Sequence, residues 1–359
     1  MNTTPVRTVT IEAFAMALPF CGFKEYVSHI GTGFAARARD LRQRYGIVFR
    51  FVVPPEYDGC FGPDVDYLVA QESDRLTIES DPRWVSDIFH MPTQHVRFRQ
   101  MKRAAHNLLT IHDVNFMHSK GFISRTLHKL RLRARVRKAT DIVYITHFAA
   151  FDTMRVIGTD KPFRVIHNGV TDINTIAQHP VDGLEPGFLL HISSLMSNKR
   201  PDLLVNMMGA MPGRRLVIAG NLANAPYLEK MAADHPNVTL VNGITDNQKA
   251  WLYANCSAFL FPSECEGFGL PPIEAMTMGK PVVMSRLTSL PEVGASVARY
   301  WDSHTPEAMA RIVERALREH NASPEASAAR IRANAARFNW DKCVDDYIDY
   351  YLDMLGIDK

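Results

Sequence analysis

Cysteine is scarce in this chain and poorly placed for cross-linking. The 359 residues include five, at positions 21, 60, 256, 265 and 343. The number is odd and no pair has Cys-x-x-Cys spacing, which excludes a disulfide framework and a zinc finger or ribbon and fits a reducing compartment. Long apolar runs are absent too. The most apolar N-terminal stretch, Ile11 to Cys21, is interrupted by Glu12 and Pro19, and it falls well short of the ~20 apolar residues a spanning helix needs. It has no clear signal-peptide cleavage site, so the expectation is a cytoplasmic protein without a membrane span. Nor is there a repeat of solenoid period or a low-complexity segment. With 46% hydrophobic and 22% charged residues, disorder, collagen and coiled coil are excluded. What remains is a globular chain whose length, at roughly 100–200 residues per domain, predicts two domains with separate cores.

The net charge of +3 conceals an asymmetry. Residues 1–167 hold 24 Lys plus Arg against 16 Asp plus Glu, whereas residues 168–359 hold 17 against 22. A basic first half faces something anionic: a phosphorylated substrate, a lipid surface or nucleic acid. The densest stretch, Arg125 to Lys138, has seven basic residues and no acid, with Leu127, Leu130, Leu132 and Val136 interspersed. It reads either as a surface for anionic lipid or as a solvated helix face. The run holds no aromatic stacking residue, which argues against nucleic acid.

The second half is punctuated clearly. Short apolar runs at 164–167, 187–193, 215–220, 238–241, 258–261 and 281–285 alternate with helical stretches at 201–208, 226–233, 246–254 and 272–278, separated by Gly, Pro and Asn. That alternation predicts a doubly wound parallel sheet with its ligand site at the strand C-terminal ends. In the first half, Val48 to Val53, Leu108 to Ile111 and Ile142 to Thr146 are credible parallel strands. Pro162 interrupts the pattern, which places the domains at 1–163 and 164–338, followed by an amphipathic segment at 339–359 that carries Trp340, Val344, Tyr347, Ile348 and Tyr351.

The most informative stretch is Phe261-Pro-Ser-Glu-Cys-Glu-Gly-Phe-Gly-Leu-Pro-Pro-Ile-Glu-Ala-Met276. A strand ends just before it and a helix starts within it, so backbone N–H groups and a positive helix end point toward the sheet crevice. Glu266 and Glu274, seven residues apart around Gly267-Phe268-Gly269, are carboxylates able to accept hydrogen bonds from a polyhydroxylated ligand, and the combination suits a sugar nucleotide. The stretch resembles the Glu, seven residues, Glu signature of the retaining glycosyltransferases of family 4. The likeness extends to Gly279-Lys-Pro-Val-Val283, Ser289-Leu-Pro-Glu292 and 246–263. It implies a GT-B fold, in which two Rossmann-like domains face each other across a cleft and the C-terminal helix crosses back to the first. It also implies that Glu266 contacts the transferred sugar, that Gly267, Phe268 and Gly269 bind sugar and phosphate, and that Glu274 holds the nucleotide ribose.

Further residues enter by the same resemblance. Lys199, opening a helix after Phe188-Leu-Leu-His-Ile-Ser-Ser-Leu-Met-Ser-Asn, matches the family's diphosphate-binding Lys. Ser193 stands where Gly is usual and Ser194 where Arg often stands, so one expected charge is missing, with Arg200 a candidate replacement. His112-Asp113 resembles the strand-end pair that faces the donor sugar, His112 hydrogen-bonding a hydroxyl and Asp113 orienting it or meeting the acceptor. Gly31 and Gly33 resemble the glycine-rich first loop, although Thr32 splits the usual pair. Asp64-Val-Asp66 has the spacing of a metal motif from another glycosyltransferase fold but lies in a Pro/Gly-rich loop. The resemblance implies no metal cofactor.

The expected activity is transfer of a hexose, with retention, from a nucleoside-diphosphate sugar to a glycan or lipid-linked acceptor in surface polysaccharide assembly. Front-face attack and double displacement on Glu266 both remain open. The alternatives are a nucleotide-sugar 2-epimerase of the same fold and a non-catalytic sugar-nucleotide-binding protein.

Overall fold

The computed structural model describes residues 5–17, 22–74, 84–95, 101–119 and 121–358; Pro19 and Cys21 lie outside them. The chain divides into two compact units, residues 1–169 with 339–359, and residues 170–338.

The first unit is built from β1 (Arg7–Glu12), α1 (Gly22–Tyr45), β2 (Ile47–Val53), β3 (Asp66–Val69), β4 (Val85–Met91), β5 (Arg103–Ile111), α2 (Phe116–Ser119), α3 (Phe122–Lys138), β6 (Asp141–Tyr144), α4 (His147–Ile157) and β7 (Phe163–Val165). Its sheet runs β3-β2-β1-β4-β5-β6-β7, and the pairings are parallel. The run at 164–167, expected to open the second domain, instead closes the first sheet, because β7 pairs with β6. The passage between units therefore falls after Gly169 rather than after 163.

The second unit contains β8 (Leu189–Ser193), α5 (Pro201–Met208), β9 (Leu216–Gly220), α6 (Tyr227–Ala233), β10 (Val238–Asn242), α7 (Asp246–Asn255), β11 (Ala258–Phe261), α8 (Leu270–Thr277), β12 (Val282–Ser285), α9 (Leu290–Gly294), β13 (Arg299–Trp301), α10 (Pro306–Ala322) and α11 (Pro324–Ala335). Its strand order, β10-β9-β8-β11-β12-β13, is the doubly wound arrangement, with the order reversing between the adjacent strands β8 and β11. The central strands β8, β11 and β12 are almost wholly buried, as expected when helices cover both faces of a parallel sheet. Starts and stops follow local chemistry. Thr245 and Gln248 form a reciprocal capping box at the head of α7, satisfying donors that the first turn leaves open.

The last helix, α12 (Trp340–Met354), belongs to the first unit. It buries Cys343, Val344, Tyr347, Ile348 and Tyr351 in the core that also holds Tyr26, Phe34 and Phe49. A chain of buried polar groups ties it down. Tyr347 Oη lies 2.6 Å from Tyr26 Oη and 2.9 Å from Thr110 Oγ1, and the two nitrogens of His90 reach Tyr351 Oη at 2.7 Å and Thr110 Oγ1 at 2.9 Å. Gly31 and Gly33 serve this packing. Both lie inside α1, not in a ligand loop. A Cβ on Gly31 would sit 2.4 Å from the Phe61 ring, and one on Gly33 would sit 2.4 Å from Val344 Cγ2, so the glycines admit close neighbours and the glycine-rich-loop assignment is corrected.

Candidate active site

In the second unit, β8 and β11 deliver two loops side by side at the point where strand order reverses. The loops are joined by their backbones. Asn198 O accepts from the Glu264 N–H at 2.8 Å and from Ser263 Oγ at 3.2 Å, while Asn198 Nδ2 donates to Cys265 O at 3.1 Å. This brings Lys199 Nζ to 2.6 Å from Glu266 Oε1, with side-chain exposures of 17% and 11%. In so sheltered a position each charge depends on the other. Lys199 Nζ also lies 5.7 Å from the centre of the Phe261 ring.

The loop after β12 fastens Glu266 from behind. Thr288 Oγ1 accepts the Glu266 N–H at 3.1 Å, and Ser289 Oγ lies 3.1 Å from Glu266 O and 2.8 Å from Phe268 O. The Phe268 side chain is buried and meets Phe338 edge to face at 5.5 Å, so this residue offers a ligand only its backbone and anchors the loop. Gly269 has φ of +107°, a conformation that favours glycine. From it the chain turns directly into α8.

Glu274, on α8, is 7% exposed and held at both oxygens. Lys249 Nζ donates to Oε1 at 2.6 Å and Tyr253 Oη to Oε2 at 2.8 Å. Burial and the neighbouring carboxylate raise the Tyr253 hydroxyl well above its ordinary value, which keeps it a donor. Lys249 and Tyr253 were not singled out as functional from sequence; their four-residue spacing on α7 was the available signal.

Ser194 is exposed, and its carbonyl accepts from Asn224 Nδ2 at 2.7 Å. Arg200 does not supply the charge missing at that position. Its guanidinium is engaged by Asp202 at 2.9 Å and by Glu264, and the bond to Asp202 raises its pKa further. Ser193 has a different task. His191 Nδ1 donates to Leu260 O at 2.9 Å, so its Nε2 accepts from Ser193 Oγ at 2.8 Å. Ser193 Oγ in turn accepts the N–H of Leu195 at 3.0 Å, a residue held at φ of +57°. Ser193 thus secures the start of the loop that leads to Lys199. Ser193→Ala leaves a buried ring nitrogen without a partner, and urea titration should show the second unit losing about 1–3 kcal/mol; Ser193→Thr should lose much less.

In the first unit His112 follows the last residue of β5. Its Nε2 donates to Pro92 O at 2.9 Å and its backbone N–H to Gln94 Oε1 at 3.0 Å, while the rings of Phe23 and Tyr26 meet it edge-on at 5.0 and 4.7 Å. Burial lowers the imidazole pKa to about 4, so at neutral pH the ring is uncharged and Nδ1 is an acceptor. Asp113 Oδ1 accepts the Asn115 N–H at 2.9 Å. Gln94, whose Nε2 also donates to Asp113 O at 3.2 Å, braces the pair and was not noticed in the sequence. Asp64 is tied to Arg39 at 3.1 Å, and Asp66 lies 3.9 Å from Arg50.

The chain has the two-domain Rossmann-like GT-B fold, and residues 172–338, within the second unit, match the family Glycosyl transferases group 1. The fold is shared with a sucrose-phosphate synthase from Thermosynechococcus elongatus at a TM-score of 0.74 and 17% identity, over 98% of this chain and 99% of that one. It is shared also with Anabaena HepE in complex with UDP and glucose, at a TM-score of 0.71 and 15% identity, over 97% and 99%. Among curated relatives, O-antigen chain mannosyltransferase B of Escherichia coli is 37% identical over 108 residues, or 30% of this chain and 28% of that protein. The serotype-specific mannosyltransferase WbdA of Escherichia coli is 35% identical over 116 residues, 32% of this chain and 14% of its own length. This chain thus spans less than a third of the length of these relatives. O-antigen chain mannosyltransferase RfbU of Salmonella typhimurium is 23% identical over 199 residues, covering 54% and 55%.

Proposed function

We propose that this chain transfers a hexose, with retention of anomeric configuration, from a nucleoside-diphosphate sugar to an acceptor hydroxyl in the assembly of a surface polysaccharide or lipid-linked glycan. The observation that carries the reading is the Lys199–Glu266 contact of 2.6 Å at the crossover of the second sheet, inside the segment that matches the glycosyltransferase family. The mannosyltransferase names of the relatives favour mannose as the sugar. None of those names favours the epimerase or the non-catalytic alternative.

The chemistry follows from charge. As the bond from the anomeric carbon to the diphosphate oxygen breaks, electrons stay with the oxygen, which Lys199 and the loop amides stabilise. The acceptor oxygen bonds to the same face of the carbon and passes its proton to the departing phosphate oxygen. Glu266 faces the positive charge that develops on the sugar, and Glu274 holds the ribose. Lys199 performs the part that a divalent metal plays in other sugar transferases, so no metal is required.

A thermal-shift screen of UDP, GDP and ADP sugars identifies the donor, since a ligand at 100 times its dissociation constant stabilises by about 2.7 kcal/mol. Transfer should then proceed undiminished in EDTA, and NMR of the product should show the donor's anomeric configuration. An inverted product, or strict dependence on manganese or magnesium, refutes this mechanism; donor conversion without acceptor would make the chain an isomerase.

A further inference from the structure

Helix α3 is amphipathic twice over. Its inward side buries Leu132 and Val136, which are 2% and 4% exposed. At 100° per residue, Ile123, Leu127, Leu130 and Ala134 line up on the opposite side. Ile123 is 84% exposed, Leu130 57% and Leu127 46%, and Phe122 at the head of the helix is 78% exposed. On the same helical projection Arg131 and Lys138 flank this stripe on one side and Arg137 on the other; all three are exposed, and none has an ion-pair partner among the described residues. Arg133, by contrast, donates to Ile157 O at 3.2 Å. No acidic residue occurs anywhere in the helix.

We propose that this outward face of α3 docks the chain on an anionic lipid bilayer, with Ile123, Leu127 and Leu130 entering the headgroup boundary and Arg131, Arg137 and Lys138 meeting lipid phosphates. An apolar stripe bordered by cations is the pattern that lies in a membrane interface, with long cationic side chains reaching back to the headgroups. Charge complementarity selects the occupant. A second copy of the helix would oppose cation to cation, whereas an anionic leaflet satisfies charge and apolar area together. The proposal does not rest on the transfer reading, since lipid binding is measured without donor or acceptor.

The full chain is sedimented with vesicles of phosphatidylcholine containing phosphatidylglycerol, and with phosphatidylcholine alone. Binding should require the anionic lipid and weaken as salt is raised. The set Arg131→Glu, Arg137→Glu and Lys138→Glu should reduce affinity on the order of a hundredfold. The set Ile123→Ser, Leu127→Ser and Leu130→Ser keeps every charge and should still lose at least about tenfold, because apolar insertion adds to attraction. Both sets leave Leu132 and Val136 in place, so unchanged thermal melting verifies the fold. The proposal is overturned if the unmodified chain ignores anionic vesicles at low salt or if both sets bind as it does. It is equally overturned if the serine set converts a dimer to a monomer in the absence of lipid.

Discussion

Glu266→Gln should slow sugar transfer by about 10²–10³-fold, the size of losing one electrostatic contact made in the transition state, yet bind the free nucleoside diphosphate at least as tightly as the unmodified chain. The ion pair is the reason. With Lys199 Nζ 2.6 Å from Glu266 Oε1, the arriving diphosphate competes with the carboxylate for the same ammonium, and a neutral amide competes less. Lys199→Met should lower both the transfer rate and diphosphate affinity. Glu274→Gln should mainly weaken nucleotide binding, by about tenfold, because a lost hydrogen bond to a ribose hydroxyl acts in the ground and transition states alike. Calorimetric affinity for the diphosphate beside the transfer rate separates the three. Glutamine is preferred to alanine at 266 because it preserves the shape and a hydrogen bond where a lone buried charge is costly. If Glu266→Gln transfers normally, or loses diphosphate affinity as Glu274→Gln does, the roles assigned to the two carboxylates are wrong.

Acid should destabilise the first unit more steeply than the second. Burial holds His90 at about 3 and His112 at about 4 in the first unit, and His191 at about 4 in the second; smaller downward shifts fall on His29 in the first unit and His320 in the second. An unfolded histidine titrates near 6.5 and binds a proton that the folded one refuses, so the stabilisation is complete above that pH and is lost as pH falls from about 6.5 toward 4. At pH 5 each deeply buried ring costs about 2 kcal/mol, giving about 4 for the first unit and about 2 for the second, against a typical total of ~5–15 for a domain. Hydrogen exchange read peptide by peptide at pH 7.5, 6 and 5 distinguishes the units. Equal protection in both units across that range contradicts the assignment, and His191→Gln should flatten the response of the second unit alone.

The second sheet was readable from sequence because strands buried on both faces are uninterrupted apolar runs closed by Gly, Pro or Asn. Expected runs at 238–241 and 258–261 lie within a residue of β10 and β11. The first sheet hid one of its inner strands. β1 alternates Arg7, Thr8, Val9, Thr10, Ile11 and Glu12, yet pairs with β2 and β4 on its two edges, and Thr10 and Glu12 are as buried as Val9 and Ile11. Polar residues in a central strand defeat a reading based on hydrophobicity. Gly31 and Gly33 misled for a related reason: glycine signals a turn locally, whereas here its smallness is used by Phe61 and Val344, far away in sequence. Residue roles along the Glu266 loop were suggested by motif, but their fastenings were not. Thr288, Ser289, Asn198, Lys249 and Tyr253 meet their partners only after the sheet has formed.

The polar chain that seats α12 in the first unit bears on how the protein is made. Synthesis runs from the N-terminus, so the ribosome releases all seven strands of the first sheet, then all of residues 170–338, and only afterwards Tyr347 and Tyr351. The second unit is one continuous stretch and can complete itself as it emerges. The first must wait, with the sites beside Tyr26, His90 and Thr110 open, until the final helix arrives. Its nascent form is therefore the longer-lived client for chaperones, and a message interrupted shortly before codon 340 yields a finished second unit tethered to an unfinished first.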